Sequence, residues 1–249
     1  MRIPLALALA ALAAIMLAGC STGGAELVPD ETIENYYSGG SIPPGKGPVT
    51  AAGYVVDATA ERMPLEGADV TIKYNEGSSV AARTTVRTTT NANGIFYVDE
   101  IPAGQVEIEV RGPDDYERVD VDVDASQASV ISASMATYRK ADKDKAPGDE
   151  ELDDFLSDMP DEIEEGTTYH PGKALGLTKF EHYLSYVCAS ESIVVNRDGS
   201  LTAVAQGEFE LSGKYKTKKS KKRATVTPPG LGGNPPPGLG GTPPGLTAD

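Results

Sequence analysis

The chain has 249 residues, a net charge of −15, 27 Gly, 18 Pro, two Cys and no Trp. That length allows one or two domains. The acidic balance argues against general nucleic-acid binding, although a local cluster can act against the net charge, and two cysteines exclude a disulfide-stapled scaffold.

Residues 1–19 read as a secretion signal. Arg2 gives a minimal positive start, and Leu5 to Leu17 is almost wholly Ala, Leu, Ile and Met, a run too short for a comfortable membrane span. The signal ends at Leu17-Ala18-Gly19-Cys20. These four residues resemble the lipobox of bacterial lipoproteins. The resemblance implies diacylglyceryl transfer to the Cys20 sulfur, cleavage before Cys20 and fatty acylation, of the palmitate kind, at the new amine. Two or three acyl chains hold firmly, at roughly 0.8 kcal/mol per buried CH₂. Ser21 stands where similar proteins retained at the inner membrane carry Asp, so the resemblance favours the outer membrane if the envelope is Gram-negative. With Cys20 lipidated, Cys188 is the remaining thiol and folding must rest on core burial.

Residues 20–48 form a tether in which Ser, Gly and Pro recur without periodicity. Gly40 to Lys46 fits the start of a phosphate loop, but Gly47 replaces the required Ser or Thr, no apolar strand precedes it, and Pro43 and Pro44 remove amide donors.

From residue 49 to 137 short strands follow one another at the spacing of a β-sandwich. Gly53-Tyr54-Val55-Val56 is the first. Val70, Ile72 and Tyr74 alternate with polar residues, as do Val106, Ile108 and Val110, and again Val119, Val121 and Val123. Val80 to Thr90 is rich in Thr and Val, Ile95-Phe96-Tyr97-Val98 is a dense β-forming run, and Val130 to Met135 closes the set. The run around Phe96 lies between Asn93-Gly94, which tolerates φ > 0, and Pro102-Ala103-Gly104; both turns read as antiparallel connections. The predicted fold class is mainly β: a seven-stranded immunoglobulin- or prealbumin-like β-sandwich with disordered termini and a small α+β C-terminal unit.

Five pieces occur in a familiar order: Gly53-Tyr54-Val55; Pro64-Leu65-Glu66-Gly67-Ala68-Asp69-Val70; Thr90-Asn91-Ala92-Asn93-Gly94-Ile95-Phe96; Ile101-Pro102-Ala103-Gly104; and Gly112 to Tyr116. This region resembles the carboxypeptidase regulatory-like domain, a transthyretin-like β-sandwich. Asn91 stands where that family usually has Asp, and Asn can still cap the turn. The resemblance implies a structural or binding module without catalysis of its own. The zinc peptidase that can accompany such domains needs an H-x-x-E pair, and His170 and His182 are followed at the third position by Lys173 and Ser185.

Residues 138–166 read as an acidic linker: Asp149 to Glu165 holds ten acidic residues and no basic one. Leu152, Phe155, Leu156 and Met159 recur within it at helical spacing, so a short amphipathic helix is the alternative. Residues 167–215 read as a small helix-plus-hairpin unit. A capping box at Thr178-Lys179-Phe180-Glu181 would start a helix with Phe180, Leu184 and Val187 on one face, and Asn196-Arg197-Asp198-Gly199 is a hairpin turn. Residues 216–249 read as a disordered tail, basic first and then carrying Pro-Pro-Gly-Leu-Gly-Gly repeats whose offsets fit no collagen period.

The candidate sites are few. Lys214, Lys216, Lys218, Lys219, Lys221, Lys222 and Arg223 put seven cations in ten residues, suited to an anionic lipid or envelope polymer; pairing with the acidic stretch 149–165 is the alternative. Asp120, Asp122 and Asp124 share one strand face about 7 Å apart by strand rise, a weak candidate for a divalent cation against the simpler reading of a solvated face. His182 and Cys188 could form a nucleophile and base if folded together, but no serine-hydrolase signature occurs. The expectation is a lipid-anchored cell-envelope protein with a non-catalytic β-sandwich for binding or scaffolding. It needs no cofactor and no specific nucleic acid. Its partners are the membrane, an anionic envelope polymer or lipid, and an envelope protein. The alternatives are a small enzyme with its site in 167–215, using His182 and Cys188, and an accessory subunit of a surface assembly or transport system.

Overall fold

The computed structural model describes residues 48–75, 83–149 and 152–230. The expected signal peptide, Cys20, the expected tether to residue 47 and the Pro/Gly-rich residues 231–249 lie outside them.

The seven expected strands form. β1 (Val49–Asp57), β3 (Asp69–Asn75), β4 (Arg83–Thr89), β5 (Ile95–Ile101), β6 (Gln105–Arg111), β7 (Arg118–Asp124) and β8 (Val130–Thr137) are joined by a two-residue β2 (Met63–Pro64). β4-β3-β6-β7 is a four-stranded antiparallel sheet. Opposite it, β1 lies parallel to β8 and antiparallel to β5 and β2. The alternating residues meet between the sheets: Val70, Ile72, Ile108, Val110, Val121 and Val123 pack against Val55, Phe96, Val98, Ile131, Ala133 and Met135 in one buried cluster. β1 and β8 approach so closely that a Cβ on Gly53 would come 2.4 Å from the Ala133 carbonyl oxygen, which only glycine permits.

The two turns flanking β5 are not hairpins, because β4 and β6 belong to the four-stranded sheet and β5 pairs with β1. Each carries the chain across the core, which places Phe96 and Val98 against the facing sheet. Gly94 takes φ 70, and Asn91 Oδ1 accepts from the amides of Asn93 at 2.9 Å and Ile95 at 3.0 Å. Asn therefore supplies the cap expected of it.

The sandwich does not end at β8. β11 (Ser185–Ala189) pairs with it antiparallel, β14 (Gly207–Tyr215) pairs with β11, β15 (Lys218–Thr227) pairs with β14, and β9 (Glu162–Glu164) lies parallel to β15. A smaller sheet, β10 (Thr168–Tyr169), β13 (Leu201–Ala203) and β12 (Ile193–Val195), contains the expected turn, closed by the Asn196 amide donating to the Ser200 carbonyl at 2.8 Å.

Three boundaries are thereby corrected. Residues 167–215 are not a separate unit, since β11 and β14 extend the sandwich sheet. The capping box opens only a few turns; the short α1 (Pro171–Ala174) lies before it, and residues from Ser185 on are extended because β8 and β14 pair with them on both sides. The stretch 138–166 is more than a linker: Leu152, Phe155, Leu156 and Met159 are buried, in turns rather than a helix, against Phe209, Leu211 and Tyr215 of β14 and Ala224 and Val226 of β15. Nor does the disordered tail begin at residue 216, because Lys218–Thr227 forms the second strand of a hairpin, with Ser220, Ala224 and Val226 turned inward.

Arg62 ties the two halves together. It sits at φ 62 in the turn before β2 and is 4% exposed. Its Nε donates to the Arg197 carbonyl at 2.8 Å, its Nη1 to the carbonyls of Glu181, His182 and Leu184 at 3.3, 3.2 and 2.8 Å, and its Nη2 to Ser134 Oγ at 2.6 Å. Burial lowers its pKa to about 10, with Tyr186, Asp198 and Glu181 opposing that shift, so it stays charged at neutral pH. Arg62→Met would leave several buried carbonyls without donors, at an expected cost of about 3 kcal/mol. Urea denaturation checks this; an unchanged midpoint would show that the guanidinium is not a tie.

Candidate functional site

The seven cations of the basic run lie on and around the β14–β15 hairpin, and each has a partner within the chain. Lys214, buried on β14, meets Asp120 at 2.9 Å. Lys219 reaches Asp122 at 2.8 Å and Asp120 at 3.6 Å. Lys221 and Arg223 both bind Glu210 at 2.9 Å, Lys222 binds Asp161 at 2.7 Å, and Lys218 binds Asp153. Lys216 donates to the Pro147 carbonyl at 2.6 Å. Of the two readings of this run, pairing inside the chain is the one built into the fold, and its partners include the β7 stripe as well as the stretch 149–165.

The stripe itself is thereby occupied. Asp120 and Asp122 hold lysines, and Asp124 accepts from the Ser126 amide at 3.0 Å, which lowers its pKa. Among the described residues no group of three His, Cys, Asp or Glu could hold a metal ion. Burial of Asp120 works against its ionisation, but hydrogen bonding and charge from Lys214, with Lys219 beyond, outweigh it and the pKa is lowered.

His182 and Cys188 do not come together as a dyad. His182 is exposed on a turn, its backbone carbonyl held by Arg62. Cys188 is fully buried on β11 within the second core. Burial, then the charges of Glu191 and Glu210, push its thiol up, away from the thiolate a nucleophile requires.

Sequence reasoning did not single out a cavity of about 330 Å³ at the junction, lined by the end of β8, the start of β7, the chain after β8 and the β14–β15 turn. Tyr138, Tyr183 and Tyr215 form its aromatic wall. The Tyr138 and Tyr183 rings stand edge to face at 5.9 Å, and those of Tyr183 and Tyr215 at 6.3 Å. The hydroxyls of Tyr215 and Tyr183 donate to the carbonyls of Pro147 and Lys145. Burial raises the pKa of all three phenols, so they are neutral donors at physiological pH. The tyrosines come from three distant parts of the sequence, and only the β8–β11–β14 pairing assembles them.

Residues 50–136 match the carboxypeptidase regulatory-like domain. The match covers β1 to β8 almost end to end, so everything from Tyr138 onward is added to that domain. No curated protein matches the chain. Among solved structures, catechol 1,2-dioxygenase from Acinetobacter sp. ADP1 is 20% identical, over 43% of this chain and 49% of that one, with a TM-score of 0.26. BcpA, the major pilin subunit of Bacillus cereus, is 16% identical over 38% and 31%, at 0.28, and an (S)-allantoin synthase is 14% identical over 39% and 46%, at 0.28. The chain spans about half or less of each, and likenesses this faint carry no argument about chemistry.

Two outcomes follow from the charges and the thiol. Because the folded pKa of Asp120 lies below its ordinary value of 3.8, its contribution to stability is fully present above that value and is lost as pH falls below it and through the lowered folded pKa. Asp120→Asn should flatten the acid limb of a stability–pH profile, and an unchanged limb would dissolve the assigned role of the Lys214 pair. Cys188 should resist a thiol reagent in the native protein and react at once in denaturant; rapid native reaction would contradict its burial.

Proposed function

We propose that this protein is a lipid-anchored component of a bacterial cell envelope whose regulatory-like domain, extended by the C-terminal strands, is a non-catalytic binding or scaffolding module. The observation that carries this reading is the order Leu17-Ala18-Gly19-Cys20, a Gly/Pro-rich stretch, and a β-sandwich matched at 50–136 to the regulatory-like domain. Such an order sets a folded module off a bilayer on a lipidated cysteine. Among the described residues no helix is long and apolar enough to cross a membrane, and Cys20 itself lies outside them. The buried thiol of Cys188 supports the non-catalytic half of the reading.

The internal pairing of Lys214 to Arg223 shifts the expected contact with an envelope partner from a loose cationic stem to the folded surface. Expression with an alkyne analogue of palmitate tests the anchor. The chain should label and sediment with membranes, and Cys20→Ser should abolish the label and release the protein. Labelling that survives Cys20→Ser, or membrane association unaffected by it, would overturn the anchor assignment.

A further inference from the structure

We propose that the free edge of β4 pairs antiparallel with the β4 edge of a second copy of this chain. The inference goes beyond the anchored-module reading and does not depend on it. β4 is the last strand of the four-stranded sheet, with β3 on one side and no strand on the other among the described residues. A strand left this way carries a row of unpaired amides and carbonyls. Its register with β3 runs unbroken from Arg83 opposite Asn75 to Thr89 opposite Asp69. Thr and Val make up five of its seven residues, and it holds no Gly, Pro or acidic residue to spoil a further pairing. The other edges are shielded. The pairing of β5 with β1 slips between Val49 and Ala51, and Glu100 turns to φ 60. β7 is covered where Lys214 and Lys219 hold Asp120 and Asp122. β9 and β12 have three residues each, and β2 and β10 have two.

Register and charge point to a second copy as the occupant. By alternation, positions 83, 85, 87 and 89 share the solvent side of β4, where Thr85, Arg87 and Thr89 are exposed, and Val86 packs half-buried against the sandwich core. A two-fold antiparallel pair centred on Val86 sets Thr85 opposite the second copy's Arg87 and Arg83 opposite its Thr89. On the inner side Val86 meets Val86 and Thr84 meets Thr88, pairs that favour a sheet. Centring the pair on Thr85 would instead set Arg83 opposite Arg87, and centring it on Arg87 would set two guanidinium groups face to face. Like charges directly opposite one another are destabilising, so one long register is free of conflict. Lys73, behind Thr85 on β3, is already held by Glu107 and Glu109 and adds no bare charge to that row. The arrangement also turns the copies end for end. Strand pairing puts Arg83 and Asp124 at the same end of the sheet. There a cavity of about 620 Å³ is lined by Asp124, Asp161, Glu191, Glu208 and Glu210 against the one guanidinium of Arg223. An antiparallel pair holds the two acidic ends apart, where a parallel pair would set them side by side. A seam of seven residues a side buries less than the ~1,200 Å² of a standard interface, so the dimer is weak and concentration-dependent.

Sedimentation equilibrium of the full chain in a density-matched detergent, from low to high micromolar concentration, tests the seam. The fitted mass should rise from one chain toward two. Thr85 is exposed, so its substitutions leave the core in place. Arg87 has no ion pair among the described residues and is free to meet a new carboxylate. Thr85→Glu, opposite the second copy's Arg87 twice per dimer, should tighten the dimer by roughly fivefold, and Thr85→Arg should loosen it by a similar factor. Cross-linking reads the register in the Cys20→Ser chain, where Cys188 is buried and stays out of the reaction. Oxidation should join Thr85→Cys chains to Arg87→Cys chains and should join neither variant to itself, because Cα atoms more than about 7 Å apart do not bridge. A mass of one chain throughout, a dimer indifferent to both charge changes, or cross-linking of each variant with itself as readily as with the other would overturn the seam. Lipidation at Cys20 is read in its own experiment, so the anchor and the seam can each fail without the other.

Discussion

The structure turns on one strand used from both sides. Along β11 the side chains alternate between two cores: Val187 belongs to the sandwich cluster, with Ala189 packed against it, while Tyr186 and Cys188 belong to the C-terminal cluster. A β-strand presents successive residues to opposite faces, so a single strand can serve as the shared wall of two hydrophobic interiors. β8 prepares the same division. Ile131, Ala133 and Met135 face the sandwich, and Ser132 and Ser134 face the small sheet, where Ser132 Oγ accepts from the Val195 amide at 3.1 Å and Ser134 Oγ donates to the Arg197 carbonyl at 3.0 Å. Small polar side chains there let β12 pack closely while satisfying its backbone groups. Arg62 completes the junction from the opposite direction by fastening the first half of the chain to carbonyls of the second.

Charge is arranged on the same plan. The chain is acidic as a whole, yet its densest basic run is spent against its own carboxylates across the hairpin. Exposed pairs of this sort contribute little individually. Lys214 with Asp120 is the exception in kind, because the lysine is buried and its ammonium needs a counterpart there. The pairs therefore say more about register, fixing how the β14–β15 hairpin lies over β7, than about net stability.

Much of the sandwich was legible because its strands alternate cleanly. Val106, Ile108 and Val110, or Val119, Val121 and Val123, declare an inner face without help from tertiary context, and the Asn91 to Gly94 turn declares its own geometry. The C-terminal strands hid for particular reasons. In β15 the inward positions include Ser220 and Lys222, so the period of two is masked by lysines on both faces until Ala224 and Val226. In β11 both faces are buried, so Ser-Tyr-Val-Cys-Ala has no polar face to reveal its period, and Phe180 and Leu184 upstream complete a helical-looking pattern. The buried side of Leu152 to Met159 was visible as spacing, but turns can present the same four side chains as a helix does. The tyrosine cavity had no local signal, since Tyr138, Tyr183 and Tyr215 become neighbours only through strand pairing.

The extension also changes what becomes of β8. A regulatory-like domain cut after residue 136 would leave the outer side of β8 as a bare row of amides and carbonyls flanked by Ser, Ala and Met, the kind of edge that recruits foreign strands. Here the missing neighbour arrives some fifty residues later in the same chain, as β11. During synthesis the sandwich therefore emerges with an open flank, and only the last third of the polypeptide seals it. A chain built this way has an interval of vulnerability to self-association, set by how quickly Ser185–Ala189 follows β8 out.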